Sequence, residues 1–82
     1  MNIDSHLVKA IVDIAIFLEY TDSELLDEDI AIEAMEQLAA ELQQMADQDR
    51  RQLAKQIIGL CPLYESPQSE FIQGLPGALG LA

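Results

Sequence analysis

Two side chains could supply a nucleophile and a base. They are Cys61 and His6, and each is the single residue of its kind. Nucleophilic catalysis needs an activated thiolate, a base within hydrogen-bond reach and a group that orients the base. Cys61 stands between Leu60 and Pro62, with no glycine-rich turn to build an oxyanion hole. The expectation is a small buried hydrophobe. His6 lies near the N-terminus among polar positions and is expected to be solvated. A single thiol excludes an internal disulfide and a metal site built on paired thiolates. It fits a reducing compartment, and the expected localisation is cytoplasmic.

Carboxylates are abundant, with 15 acidic residues against 4 basic ones and a net charge of −11. Their spacing does not fit a dedicated metal site. A calcium loop wants acids at alternating positions, then glycine, then a bidentate Glu at position twelve. Counted from Asp27, the fifth and sixth positions are Ala31 and Ile32; counted from Asp47, the fifth is Arg51. A di-iron bundle needs Glu-x-x-His pairs, which one histidine cannot supply. Phosphate-cradling glycine motifs are absent, and all four glycines lie at or after Gly59, in places where a helix must end. No cofactor, no metal and no catalytic activity are expected. Nucleic acid is excluded as a partner because that affinity rests on Lys and Arg neutralising phosphates. Anionic membrane surfaces are disfavoured for the same reason. No secretory signal or membrane span is expected, since the apolar stretch Ala10–Leu18 is short and Asp4 stands where a basic residue belongs.

The elements that must carry these side chains read as helices of a single 82-residue domain. Ser5 to Tyr20 is the first, with Asp4 or Ser5 as its cap. His6, Lys9, Asp13 and Tyr20 make one narrow polar stripe on it, and most other positions are apolar. Such a helix is either central to the fold or covered by a second chain. Thr21 and Glu24 have capping-box spacing and predict a short turn through Leu26. Asp27-Glu28-Asp29 opens the longest helix, expected to reach Met45, with Ala31, Met35, Leu38, Leu42 and Met45 as its core stripe. A third helix follows Asp47, taken as its cap, and stops near Leu60; Leu53, Ala54, Ile57, Ile58 and Cys61 share a face. Ser66-Pro67 predicts the start of a fourth, with a stop at Gly74, a further turn from Pro76 and an end at Gly80. The apolar ending Leu75–Leu81 is expected to dock. The predicted fold is all-α: a compact three- to four-helix bundle with a short C-terminal helix and a docked apolar tail.

The acidity is localised. Between Ala10 and Asp49 there is no Lys or Arg, and 12 of the 15 acids lie there. Like charges at Asp29–Glu33 and Glu33–Glu36 each cost about 0.2–0.5 kcal/mol on a helix. A solvated surface that serves solubility accounts for this pattern, and so does a docking surface that steers a basic protein. The docking reading selects Asp22, Asp27, Asp29, Glu33, Glu36 and Glu41 as partner-binding residues. A self-associating homodimer built on the first helix is the alternative.

Two resemblances bear on this choice. Asp22-Ser23 resembles the phosphopantetheine attachment motif of acyl carrier proteins, which are small, acidic and helical. Glu24 departs from the aliphatic residue expected after that serine, and only two residues separate Tyr20 from Ser23, where carriers place a long loop. The segments Glu36–Gln43 and Asp49–Arg51, with the ending Glu70–Leu81, resemble small acidic helical bacterial proteins. Gly77 stands where their ending often has Glu. Some of those look like immunity partners of toxins. That resemblance implies a helical fold and, for function, an immunity-type inhibitor of a basic bacterial toxin.

Overall fold

In the computed structural model, which describes residues 3–81, the chain begins its first two helices with carboxylate caps. Asp4 caps α1 (Ser5–Tyr20) by accepting the N–H groups of His6 at 2.8 Å and Leu7 at 3.2 Å. Asp27 caps α2 (Glu28–Leu42) in the same way through Asp29 and Ile30. Helix α3 (Asp47–Gly59), a 3-10 turn (Cys61–Leu63) and α4 (Gln68–Ala78) complete the order. The domain is all-α, as its sequence predicts, and the apolar tail docks: Leu79 and Leu81 are buried.

Several boundaries differ from the expected ones. Helix α2 stops at Leu42, because Gln44 and Met45 switch to three-residue hydrogen bonds to Glu41 and Leu42. Ala46, not Asp47, is the N-cap of α3, and its side chain accepts nothing. The turn before α2 is capped by Asp22, whose carboxylate accepts the Glu24 N–H at 2.8 Å, while Thr21 donates back to the Phe17 carbonyl. Helix α4 starts after Pro67 without a Ser66 cap, then runs through Gly74 and Pro76 without stopping. Pro76 has no N–H to give the Ile72 carbonyl. Its burial beside Ile72 and Leu75 offsets that loss, so packing overrides the local stop signal.

The core belongs to three helices. Val8, Val12 and Ala15 of α1 meet Leu53 and Ile57 of α3, and Ile72, Leu75 and Leu79 from α4 and its cap close over them. Each of the larger side chains contributes about 1.5–3 kcal/mol by full burial. Helix α2 packs on α1 and supplies one buried residue, Ala31; Met35, Leu38, Ala39, Leu42 and Met45 are only half-buried. The result is elongated, 41 × 27 × 19 Å.

Polar ties fix the ends. The Gln56 amide pairs with both the N–H and the carbonyl of Ile3, at 2.8 and 2.7 Å. Tyr20 packs edge-on against Phe71 with ring centres 5.7 Å apart, and its hydroxyl donates to the Pro67 carbonyl. Helix α4 ends on Gly80 at φ +71°, with Leu81 N–H bonded to Pro76 at 2.9 Å and Gly80 N–H to Gly77 at 3.1 Å. This satisfies the last carbonyls by a left-handed cap. The Gln43 amide donates to the Leu79 carbonyl at 3.1 Å and lies where a Cβ on Gly80 would fall, at 2.5 Å.

Two glycines should therefore respond oppositely in urea denaturation. Gly80→Ala meets both positive φ and Gln43, and should cost about 1–2 kcal/mol. Gly74→Ala has open space and should gain about 0.5–1 kcal/mol from helix propensity. Amide hydrogen exchange should find α2 opening at lower free energy than α1, α3 and α4; equal protection in all four would contradict the core assignment.

Candidate functional site

The six carboxylates selected from the sequence are all exposed, but they do not form one cluster. Asp22 and Asp27 are occupied by backbone N–H groups, as turn and helix caps. Asp29, Glu33 and Glu36 follow one another along α2 at steps of four and three; Asp29 and Glu33 lie opposite the Ala31–Met35–Leu38 face that meets the rest of the domain, and Glu36 stands at the edge of that strip, toward α1. Gln37 reaches back to Glu33 at 3.5 Å. Glu41 sits apart, lining a shallow hollow with Gln37, Ala40 and Gln44.

A second set of acids joins Glu36, selected from the sequence, with Glu19 and Glu28, which were not. The last turn of α1 and the first half of α2 form a cleft of about 350 Å³ lined by Leu18, Glu19, Glu28, Ala31, Ile32, Met35 and Glu36. Ala31 is buried and Leu18 and Met35 are half-buried, so the floor is apolar. Glu19, Glu28 and Glu36 are exposed around it, and Ile32 is 51% exposed at its edge. Glu28, Ile32 and Glu36 stand at four-residue steps, and that spacing was the available signal. The pairing of Glu19 with them depends on how α1 and α2 meet.

One group of titratable side chains interacts closely. Asp13 accepts Lys9 at 2.8 Å on one carboxylate oxygen and the Tyr64 hydroxyl on the other, while Lys9 lies 5.5 Å from the centre of the Tyr64 ring. The hydrogen bond from Lys9, then that from Tyr64, holds the Asp13 carboxyl below the usual aspartate range. Burial, then the Asp13 hydrogen bond, pushes the Tyr64 phenol up. The Lys9 ammonium is pushed up chiefly by Asp13. With every member satisfied by another, the group ties α1 to the connection before α4.

The candidates for nucleophilic chemistry stay apart from such a network. Cys61 is half-buried and directs its thiol at the Ser69 carbonyl, 3.6 Å away; His6 is exposed on the first turn of α1. Ser23 lies exposed in the turn, ahead of the α2 cap. Among the described residues, no three His, Cys, Asp or Glu side chains gather to hold a metal ion, and no helix is long and apolar enough to cross a membrane.

The Asp13 tie sets a pH dependence. Its folded-state acidity is enhanced, so its contribution is complete above the ordinary aspartate value near pH 4 and fades as pH falls below it. Tyr64 and Lys9 are raised, so their contributions hold below about pH 10 and fade above it. The stability difference between the native chain and Asp13→Asn should therefore be flat across neutral pH and shrink toward pH 3. A difference that grows in acid would refute the tie. No family model matches the chain, and neither a curated protein nor a solved structure matches it.

Proposed function

We propose that this chain is a non-catalytic protein-binding module that docks a basic protein partner on α2 and the loop before it. The observation that carries the reading is uncompensated charge. Among the described residues the ion pairs are Lys9–Asp13 and Arg50–Asp47, and neither touches α2. The Asp29, Glu33 and Glu36 carboxylates thus repel one another along a helix that the core holds only lightly. Large apolar side chains stand exposed around them: Leu25 is 83%, Ile30 58% and Ile32 51% accessible. A surface of one sign with apolar residues inside it suits steered encounter followed by burial. An immunity-type inhibitor of a basic bacterial toxin is the concrete form of this reading.

The first helix favours a second reading. Leu7, Ala10, Ile14 and Phe17 recur at steps of three, four and three on the face away from the core, and Leu7, Ile14 and Phe17 are each more than half exposed. That spacing is a helix–helix seam, and a second copy of this chain could cover it as a homodimer.

Capture of partners at low salt, followed by elution with rising salt, should yield a stoichiometric basic protein. For that pair, the double change Glu33→Lys and Glu36→Lys should slow association about tenfold or more and flatten its salt dependence, with little change in dissociation. Association unchanged at low salt would remove α2 from the interface. Sedimentation separates the second reading: a dimer that Ile14→Glu converts to monomer supports the α1 seam, and a monomer at every concentration refutes it.

A further inference from the structure

We infer that the cleft between α1 and α2 seats one arginine side chain of the protein partner. This rests on the reading of the acidic surface as a docking face, and it names what that face grips. Leu18, Ala31 and Met35 offer an apolar floor, with Ile32 beside it, for the three methylenes of an arginine stem. Glu19 from α1 and Glu28 and Glu36 from α2 surround that floor with carboxylates.

The chemistry selects among occupants. A neutral apolar group would lie among three carboxylates and give them no counter-charge. A small metal ion needs its ligands close together, and these carboxylates are not gathered in that way. A guanidinium carries five donors in a planar fork and is weakly hydrated, so it can serve carboxylates spread around an apolar floor. An ammonium is a compact, strongly hydrated point charge and fits less well. About 350 Å³ accommodates one such side chain rather than a helix. The seat also joins the two elements, because its cation faces α1 through Glu19 and α2 through Glu28 and Glu36.

The methionines provide the readout. Met35 lines the cleft, while Met45 lies beyond the other end of α2. With the methionine methyls labelled by carbon-13, the full chain is titrated at low salt with acetyl-Leu-Arg-Leu-amide, and in parallel with the isosteric neutral peptide carrying citrulline. The expected result is a saturable shift of the Met35 methyl with the arginine peptide, an unmoved Met45, and no response to citrulline. Glu28→Gln and Glu36→Gln, both at exposed positions, should each weaken binding about two- to fivefold. Equal binding of the citrulline peptide would overturn the cation seat. An unmoved Met35 would overturn the cleft. If the captured partner still depended on Asp29 and Glu33, which do not line the cleft, the acidic docking face would stand without this seat; loss of both dependences would remove the docking face as well.

Discussion

The interdigitation of α1 with α3 and α4 is the contact on which the rest depends. Val8, Val12 and Ala15 present β-branched and small side chains to Leu53, Ile57, Ile72 and Leu75, and this dry seam leaves no charged or polar side chain buried among the described residues. In 82 residues there is room for one such core and not for two. A fourth helix can be added only at the side, where half-burial is the most it achieves.

That economy determines where the charge goes. Helices α3 and α4 carry three acids between them, Asp47, Asp49 and Glu70, all exposed in first turns, whereas α2 touches the core through one face and carries five acids on the surface it leaves to solvent. Carboxylates are also good first-turn residues, and Glu28 and Asp29 complement the positive end of the helix behind the Asp27 cap. Local helix chemistry and surface charge thus agree at the start of α2. They part company further along, where Glu33 and Glu36 add repulsion with no local compensation. Charge placed there against intrahelical preference is the observation on which the proposed docking face rests.

Much of the architecture was legible in the residues because apolar spacing and cap chemistry coincide there. Asp4, the Leu53–Ile57 face and the terminal Gly80 all do in space what their types and positions imply. The failures share a cause. Gly74 and Pro76 are stop signals in isolation, yet α4 passes through them because Leu75 and Pro76 are buried, and burial is a property of the whole fold. Asp47 looks like a cap, but the chain enters α3 one residue earlier. The outward strip Asp29–Glu33–Glu36 was readable from periodicity within one helix. The cleft was not, since Glu19 joins Glu28 and Glu36 only through the approach of two helices, which periodicity within either one does not specify. The tie between Asp13 and Tyr64 spans 51 residues and was out of reach for the same reason.

The bond from Gln43 to the Leu79 carbonyl fixes one end of α2 to the tail that closes the core. At the other end, Ala31 is the nearest fully packed side chain, and Glu28 lies one turn further out. Helix α2 is thereby a lever with its fulcrum at Gln43 and a length of roughly 22 Å. A tilt of about 5° would carry Glu28 through ~2 Å, which is comparable with the thickness of a methylene layer. Such a tilt would have to slide Ala31, Met35 and Leu38 over their neighbours, so the aperture between the two helices is set by how those three side chains seat.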